Sequence, residues 1–135
     1  MQRYLGKISG PLLDRIDLHI EVPAVPYKEM RSKDSGDSSA DMRARVLEAR
    51  MIQQRRGFYN AHMPSNVLRE VCLLDDAGER TLEMAMRRMG LSARAHDRIL
   101  KVARTIADLG RAECVGAKHL AEAIQYRSLD RNYWS

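Results

Sequence analysis

From about residue 39 to residue 127, apolar side chains recur every three or four positions, and a glycine follows most of the runs. Leu82, Ala85, Met86 and Met89 sit at i, i+3, i+4 and i+7, and Gly90 follows. Ile99, Val102, Ala103, Ile106 and Leu109 repeat the pattern before Gly110, as do Ala117, Leu120, Ala121 and Ile124 near the end. This period belongs to helices with one apolar face, and such helices bury that face by packing on one another. Start signals agree. Ser38 or Ser39 is an N-cap for a helix to about Arg56, with Met42, Val46 and Ala49 on one side and Gly57 as its stop. Pro64 and Ser65 open a short segment through Leu74, Asp75 or Asp76 starts the next helix, and Ser92 caps the longest one. The expectation is a bundle of four or five helices.

One stretch breaks the pattern. Ile16, Leu18, Ile20 and Val22 alternate with Asp17, His19 and Glu21, the period of a strand with one apolar face, and Pro23 and Pro26 end it. A single strand satisfies neither its backbone groups nor its apolar face. The strand is therefore expected either to pair with a second copy or to belong to a sheet whose other strands lie outside these residues. Residues 31–41 are polar and rich in Ser and Asp, and read as a linker or loop. The expected organisation is residues 1–24 as the end of another domain, 25–38 as linker, 39–127 as the helical unit and 128–135 as a frayed tail.

Composition narrows the function classes. No apolar run approaches the length of a bilayer span, and no secretory signal pattern stands at the N-terminus. Two cysteines, Cys72 and Cys114, are too few for a disulfide framework, so a reduced, cytoplasmic setting is expected. The net charge of +5 is compatible with a nucleic acid, a nucleotide or an acidic partner. The basic residues are almost all arginine, which suits bidentate contact with phosphate or carboxylate, although genomic base composition gives the same bias. An aromatic content of 5% counts against base-stacking surfaces. His19, His62, His96 and His119 share no metal-ligand spacing with the cysteines, so no metal site is expected. No phosphate loop of the Gly-x-x-x-x-Gly-Lys-Ser/Thr type is present.

Two arginines remain of interest. With Ser92 as N-cap, Arg94 is the second residue of its helix, where the macrodipole disfavours a cation by roughly 0.3–1 kcal/mol. Arg98 and Lys101 follow on nearly the same face, and a cationic stripe at a helix start suits phosphate; a solvated arginine face is the plainer reading. Arg15, between Asp14 and Asp17 just before the alternating run, reads in isolation as a salt bridge at a turn. The helices around Gly90-Leu91 have the outline of a helix-turn-helix, but the second lacks a base-reading cluster near its start.

Taken together, these segments carry a resemblance. Ile8-Ser9-Gly10-Pro11-Leu12-Leu13-Asp14-Arg15-Ile16-Asp17-Leu18-His19-Ile20-Glu21-Val22-Pro23 resembles the magnesium-chelatase-like AAA+ ATPases, and within them the bacterial ComM (YifB) branch. Leu91-Ser92-Ala93-Arg94-Ala95, the run from Arg98 to Leu109, and the run from His119 to Arg127 resemble the same family's C-terminal lid. His96-Asp97 departs from it, where an aromatic is expected. The resemblance implies a mainly α fold, a helical-bundle lid preceded by a single strand left from the α/β ATPase core. It implies that Arg15 is an arginine finger for a neighbouring subunit's nucleotide and that Arg94 is the sensor-2 arginine, with Arg98 as a lesser phosphate contact. ATP and Mg²⁺ are the implied cofactors of a full-length protein, a homo-oligomeric ring, a hexamer, the implied assembly, and DNA the implied substrate of a branch-migration motor. The family's phosphate-loop lysine and metal-binding carboxylates lie upstream of the resembling segments, so Met1 is expected to start a fragment that does not hydrolyse ATP alone. Two other readings stand beside this one: a basic helical domain binding nucleic acid through residues 94–104, and a ligand-free protein-interaction bundle.

Overall fold

The computed structural model describes residues 9–31 and 36–127. Seven α-helices and one 3₁₀ turn follow in order: α1 Gly10–Arg15, α2 Tyr27–Met30, α3 Ser39–Arg56, the 3₁₀ turn Asn60–His62, α4 Ser65–Val71, α5 Asp76–Met89, α6 Ala93–Leu109 and α7 Ala117–Gln125. Local chemistry sets the boundaries. Ser38, Asp75 and Ser92 cap α3, α5 and α6, each side chain accepting the backbone N–H three residues on. Gly57 and Gly90 end α3 and α5 with φ of 99° and 60°, a backbone state that favours glycine. The short helix α4 stops at Val71, before the expected Leu74.

α6 is the hub. It packs on α7, α3, α4, the 3₁₀ turn and α1, while α5 packs on α7. Met63, Leu68, Cys72, Leu82, Ile99, Leu100, Ala103, Ala107, Val115, Leu120 and Ala123 form one continuous buried core. Burial pushes the Cys72 thiol up to about 11, and its Sγ donates to the Leu100 carbonyl at 3.6 Å, so it behaves as a packed apolar group.

The buried face of α6 differs from the expected stripe. Ile99 and Ala103 are inside, but Val102 and Ile106 are half-buried and Leu109 is exposed, while Leu100, Arg104 and Asp108 are buried. The face is rotated because it contains an ion pair. Asp108 Oδ1 accepts from Arg104 Nε at 3.0 Å and from Arg56 Nη2 at 2.8 Å, and Oδ2 accepts from Asn60 Nδ2 at 2.8 Å. Arg104 also donates to the carbonyls of Glu113 and Ala112, and the Asn60 N–H donates to Gln53 Oε1. Buried charges persist only when paired and hydrogen-bonded in this way. In α7 a similar shift buries Ala123 and exposes Ala121.

The N-terminal stretch departs most from expectation. Among the described residues no strand forms, and the run 16–22 has no ladder. Its alternation does not separate a buried from an exposed face: within it His19 alone is buried, while Ile16, Asp17, Leu18, Ile20, Glu21 and Val22 are all exposed, Val22 at 78%. The His19 N–H donates to the Tyr126 carbonyl at 2.7 Å, and this bond ties the segment to the end of α7. The apolar face expected to meet a sheet meets no other strand among the described residues. The segment just before it, expected as a loop, is the helix α1, opened by Pro11 in its first turn. The expected tail, 128–135, lies outside the described residues, as does part of the linker, 32–35. Among the described residues no helix is long and apolar enough to cross a membrane.

Candidate functional site

α1 and the segment after it lie across the start of α6, and polar contacts join them. Ser92 Oγ donates to Asp14 Oδ1 at 3.0 Å, between residues 78 apart in sequence. Arg94 Nη1 stands 3.5 Å from Asp14 Oδ2, and Arg127 Nη2 stands 3.7 Å from Asp14 Oδ1. Arg98 Nη1 donates to Asp17 Oδ1, and Arg127 Nη1 donates to the Ile16 carbonyl at 2.9 Å. Asp14 thus supplies what the local sequence of α6 lacks, a carboxylate beside a cation placed against the helix dipole.

These contacts border a cleft of about 730 Å³ between the N-terminal segment and the outer face of α6. Asp17, Leu18 and Ile20 line one side; Arg94, Asp97, Arg98, Lys101, Val102, Thr105, Ile106 and Leu109 line the other. The half-buried edge of the α6 stripe is therefore the apolar wall of this cleft. Its basic end holds Arg94, Arg98 and Lys101 on successive turns.

The three sequence-predicted site residues divide. Arg94 and Arg98 share the cleft. Arg94 is the second residue of α6 as expected, with its side chain 55% exposed. Arg15 ends α1, is exposed and does not line the cleft. The turn salt bridge expected of it in isolation does not form: Asp14 and Asp17 face Arg94, Arg127 and Arg98. Among the described residues Arg15 has no ion pair, so its guanidinium is available to something outside. Asp14, Asp17 and Arg127 were not singled out by sequence reasoning; their partners lie some 80 to 110 residues away, and no local signal marks them.

The arrangement suits an anion carrying several charges. Arg94, Arg98 and Lys101 line the α6 wall of the cleft beside Asp17 and Asp97, and the buried Nε–H of Arg98 has no acceptor among the described residues. Guanidinium groups present paired donors that match phosphate oxygens. Among the described residues no group of three or more His, Cys, Asp or Glu side chains is placed to hold a metal ion. The departure at His96-Asp97 is a local pair, His96 Nδ1 lying 3.0 Å from Asp97 Oδ1.

A free basic face over 94–104 is not present. Arg94 and Arg98 are each paired with a carboxylate, and Arg104 is 2% exposed and bound to Asp108.

Residues 36–127 match the family described as magnesium chelatase, subunit ChlI C-terminal, and residues 1–30 match the family described as magnesium chelatase, subunit ChlI. The chain is 46% identical to the competence protein ComM of Haemophilus influenzae over 97% of its own length and 26% of that protein. It is 43% identical to the uncharacterised protein YifB of Escherichia coli over 96% of its length, again 26% of the relative. An uncharacterised protein of Mycobacterium bovis is 37% identical over 93% of the chain. The chain spans about a quarter of the length of these curated relatives. A helical bundle matched over residues 36–127, with the second match immediately before it, places the chain in the magnesium chelatase subunit ChlI C-terminal family, as a homologue of ComM.

Proposed function

We propose that this chain is the finger-and-lid part of an ATP-driven ring motor acting on DNA, of the competence type. In this reading Arg15 reaches the γ-phosphate of ATP held by a neighbouring subunit, where it stabilises charge developing in phosphoryl transfer. Arg94, with Arg98 behind it, answers the phosphates at the lid. Mg²⁺, when bound with the nucleotide, neutralises phosphate charge, and its ligands belong to residues outside this chain. The observation that carries the reading is the division of the arginines: Arg94 and Arg98 line one cleft, while Arg15 ends α1 outside it, exposed and without an ion pair among the described residues. The competence name of the Haemophilus relative supports the DNA part of the reading, and the match over residues 36–127 supports the lid part.

Substitution in the full-length protein tests it. Arg15→Ala is expected to lower ATP hydrolysis by about 10³-fold or more while nucleotide binding persists, and Arg94→Ala is expected to lose hydrolysis as well. Normal turnover by R15A would remove the finger assignment.

A further inference from the structure

We infer that Asp14 is an internal competitor for polyphosphate at Arg94, so that phosphate arriving there releases the helix end that carries Arg15. The inference rests on the reading of Arg94 as a phosphate contact given above.

The two kinds of ion pair in this molecule explain why the Asp14 contact is exchangeable. Asp108 is sealed, with its side chain fully buried and both oxygens accepting hydrogen bonds at or near 3 Å. Asp14 is different. Its side chain is 26% exposed, Arg94 is 55% exposed, and their 3.5 Å separation is longer than a charge-assisted hydrogen bond. Such a pair in contact with water is worth little, and a more highly charged anion displaces it. Polyphosphate brings more charge than one carboxylate, and its oxygens fit the guanidinium fork better than a single oxygen at 3.5 Å.

Displacement has a mechanical consequence because Asp14 and Arg15 are adjacent in the last turn of α1. The Ser92 hydroxyl, Arg94 and, at 3.7 Å, Arg127 hold that turn through Asp14, and the buried Leu13 seats it on the bundle. The Ile16 carbonyl remains held by Arg127, and the His19 N–H by the Tyr126 carbonyl. When Arg94 leaves Asp14, one polar tether of the turn is lost, and the end bearing Arg15 shifts about the contacts that remain. Asp14 is thus a positioning residue, acting on Arg15 through the backbone and on Arg94 through charge.

Titration of the 135-residue chain with inorganic triphosphate, followed by calorimetry and by the arginine Nε–H resonances, tests this. Asp14→Asn keeps the shape and removes the charge; it is expected to bind triphosphate roughly twofold to fivefold more tightly than the parent chain. A residue that merely supports the fold would change affinity in the other direction. In the parent chain the Arg15 resonance should shift with saturation of Arg94, and in D14N it should not. Asp14→Glu, which restores the charge, should return affinity to the parent value. Ser92→Gly, which removes the hydroxyl that holds Asp14 while keeping a tolerated cap residue, should tighten binding in the same sense, and it decides the matter if D14N does not fold. Equal or weaker binding by D14N, or by S92G in its place, overturns the inference. Arg94→Ala separates the two failures: loss of binding in R94A with D14N unchanged sinks the competition and keeps Arg94 as a phosphate contact, whereas binding by R94A at the parent level removes that contact itself. Absence of binding by the parent chain and by D14N overturns both.

Discussion

The bundle over residues 39–127 and the segment over residues 9–26 are held by different forces. The bundle has a continuous apolar core from Met63 to Ala123, and its buried Arg104–Asp108 pair is hydrogen-bonded on both carboxylate oxygens. The N-terminal segment buries Leu13 and His19 but exposes Ile16, Leu18, Ile20 and Val22, and it is attached by carboxylate–arginine pairs and a few hydrogen bonds. Apolar burial is insensitive to salt, while half-exposed ion pairs are screened. The bundle is therefore the rigid part, and the segment carrying Arg15 is the part whose position a charged ligand can alter.

The sharpest way to break this contrast is to attack the bundle where it resembles the segment, at a charge. Asp108→Ala leaves Arg104 buried without its partner and is expected to cost about 3–5 kcal/mol in chemical denaturation. Leu120→Ala, with Leu120 fully buried against α5 and α6, is expected to cost about 2–5 kcal/mol. A loss near that of a surface pair for D108A would mean that the cluster is not a keystone of the bundle.

Proton binding gives the next effect. The Gly116 N–H donates to His119 Nδ1 at 3.0 Å, which requires that nitrogen to be unprotonated. Burial, then Lys118 and Arg104, hold the imidazole below its ordinary value of 6.5. The unfolded chain therefore takes up the proton first as pH falls. Bundle stability is expected to be fully present above pH 6.5, to decline as pH drops from there through the folded-state value, and to level off below it. Denaturation midpoints across this range check it, and His119→Gln should flatten that part of the profile.

The segment gives the smallest effects on stability. Asp17→Asn removes the partner of Arg98 and is expected to change global stability by less than about 1 kcal/mol while speeding hydrogen exchange at the His19 amide. High salt should act in the same way. Arg15→Ala should leave stability within about 0.5 kcal/mol, because the side chain is exposed and makes no ion pair among the described residues.

Much of the bundle was legible in the sequence because its signals are local. Ser38, Asp75 and Ser92 cap their helices by accepting the backbone N–H three residues on, and Gly57 and Gly90 end two of those helices. The true inner face of α6 was not legible, since Arg104 and Asp108 read as solvent-facing charges until Arg56 and Asn60 arrive from elsewhere in the chain. The alternation over 16–22 was legible as a pattern, but it forms no ladder among the described residues, where the His19 N–H bonds to the Tyr126 carbonyl instead. In the site, Arg94 was legible from its conflict with the helix dipole. Its partner was not, because Asp14 lies 80 residues away and carries no mark of its role in its own neighbourhood.

The division of labour between Arg94 and Arg15 makes one claim above the others, that Arg15 serves a nucleotide held by another subunit. Mixing full-length Arg15→Ala subunits with full-length subunits that carry a substitution of the phosphate-loop lysine expected in the proposed motor's ATPase core tests it directly. Neither is expected to hydrolyse ATP alone. In a mixed ring the second kind still offers Arg15 to a neighbour that holds ATP, so the account predicts hydrolysis well above that of either variant. A mixture as inactive as its components would contradict it.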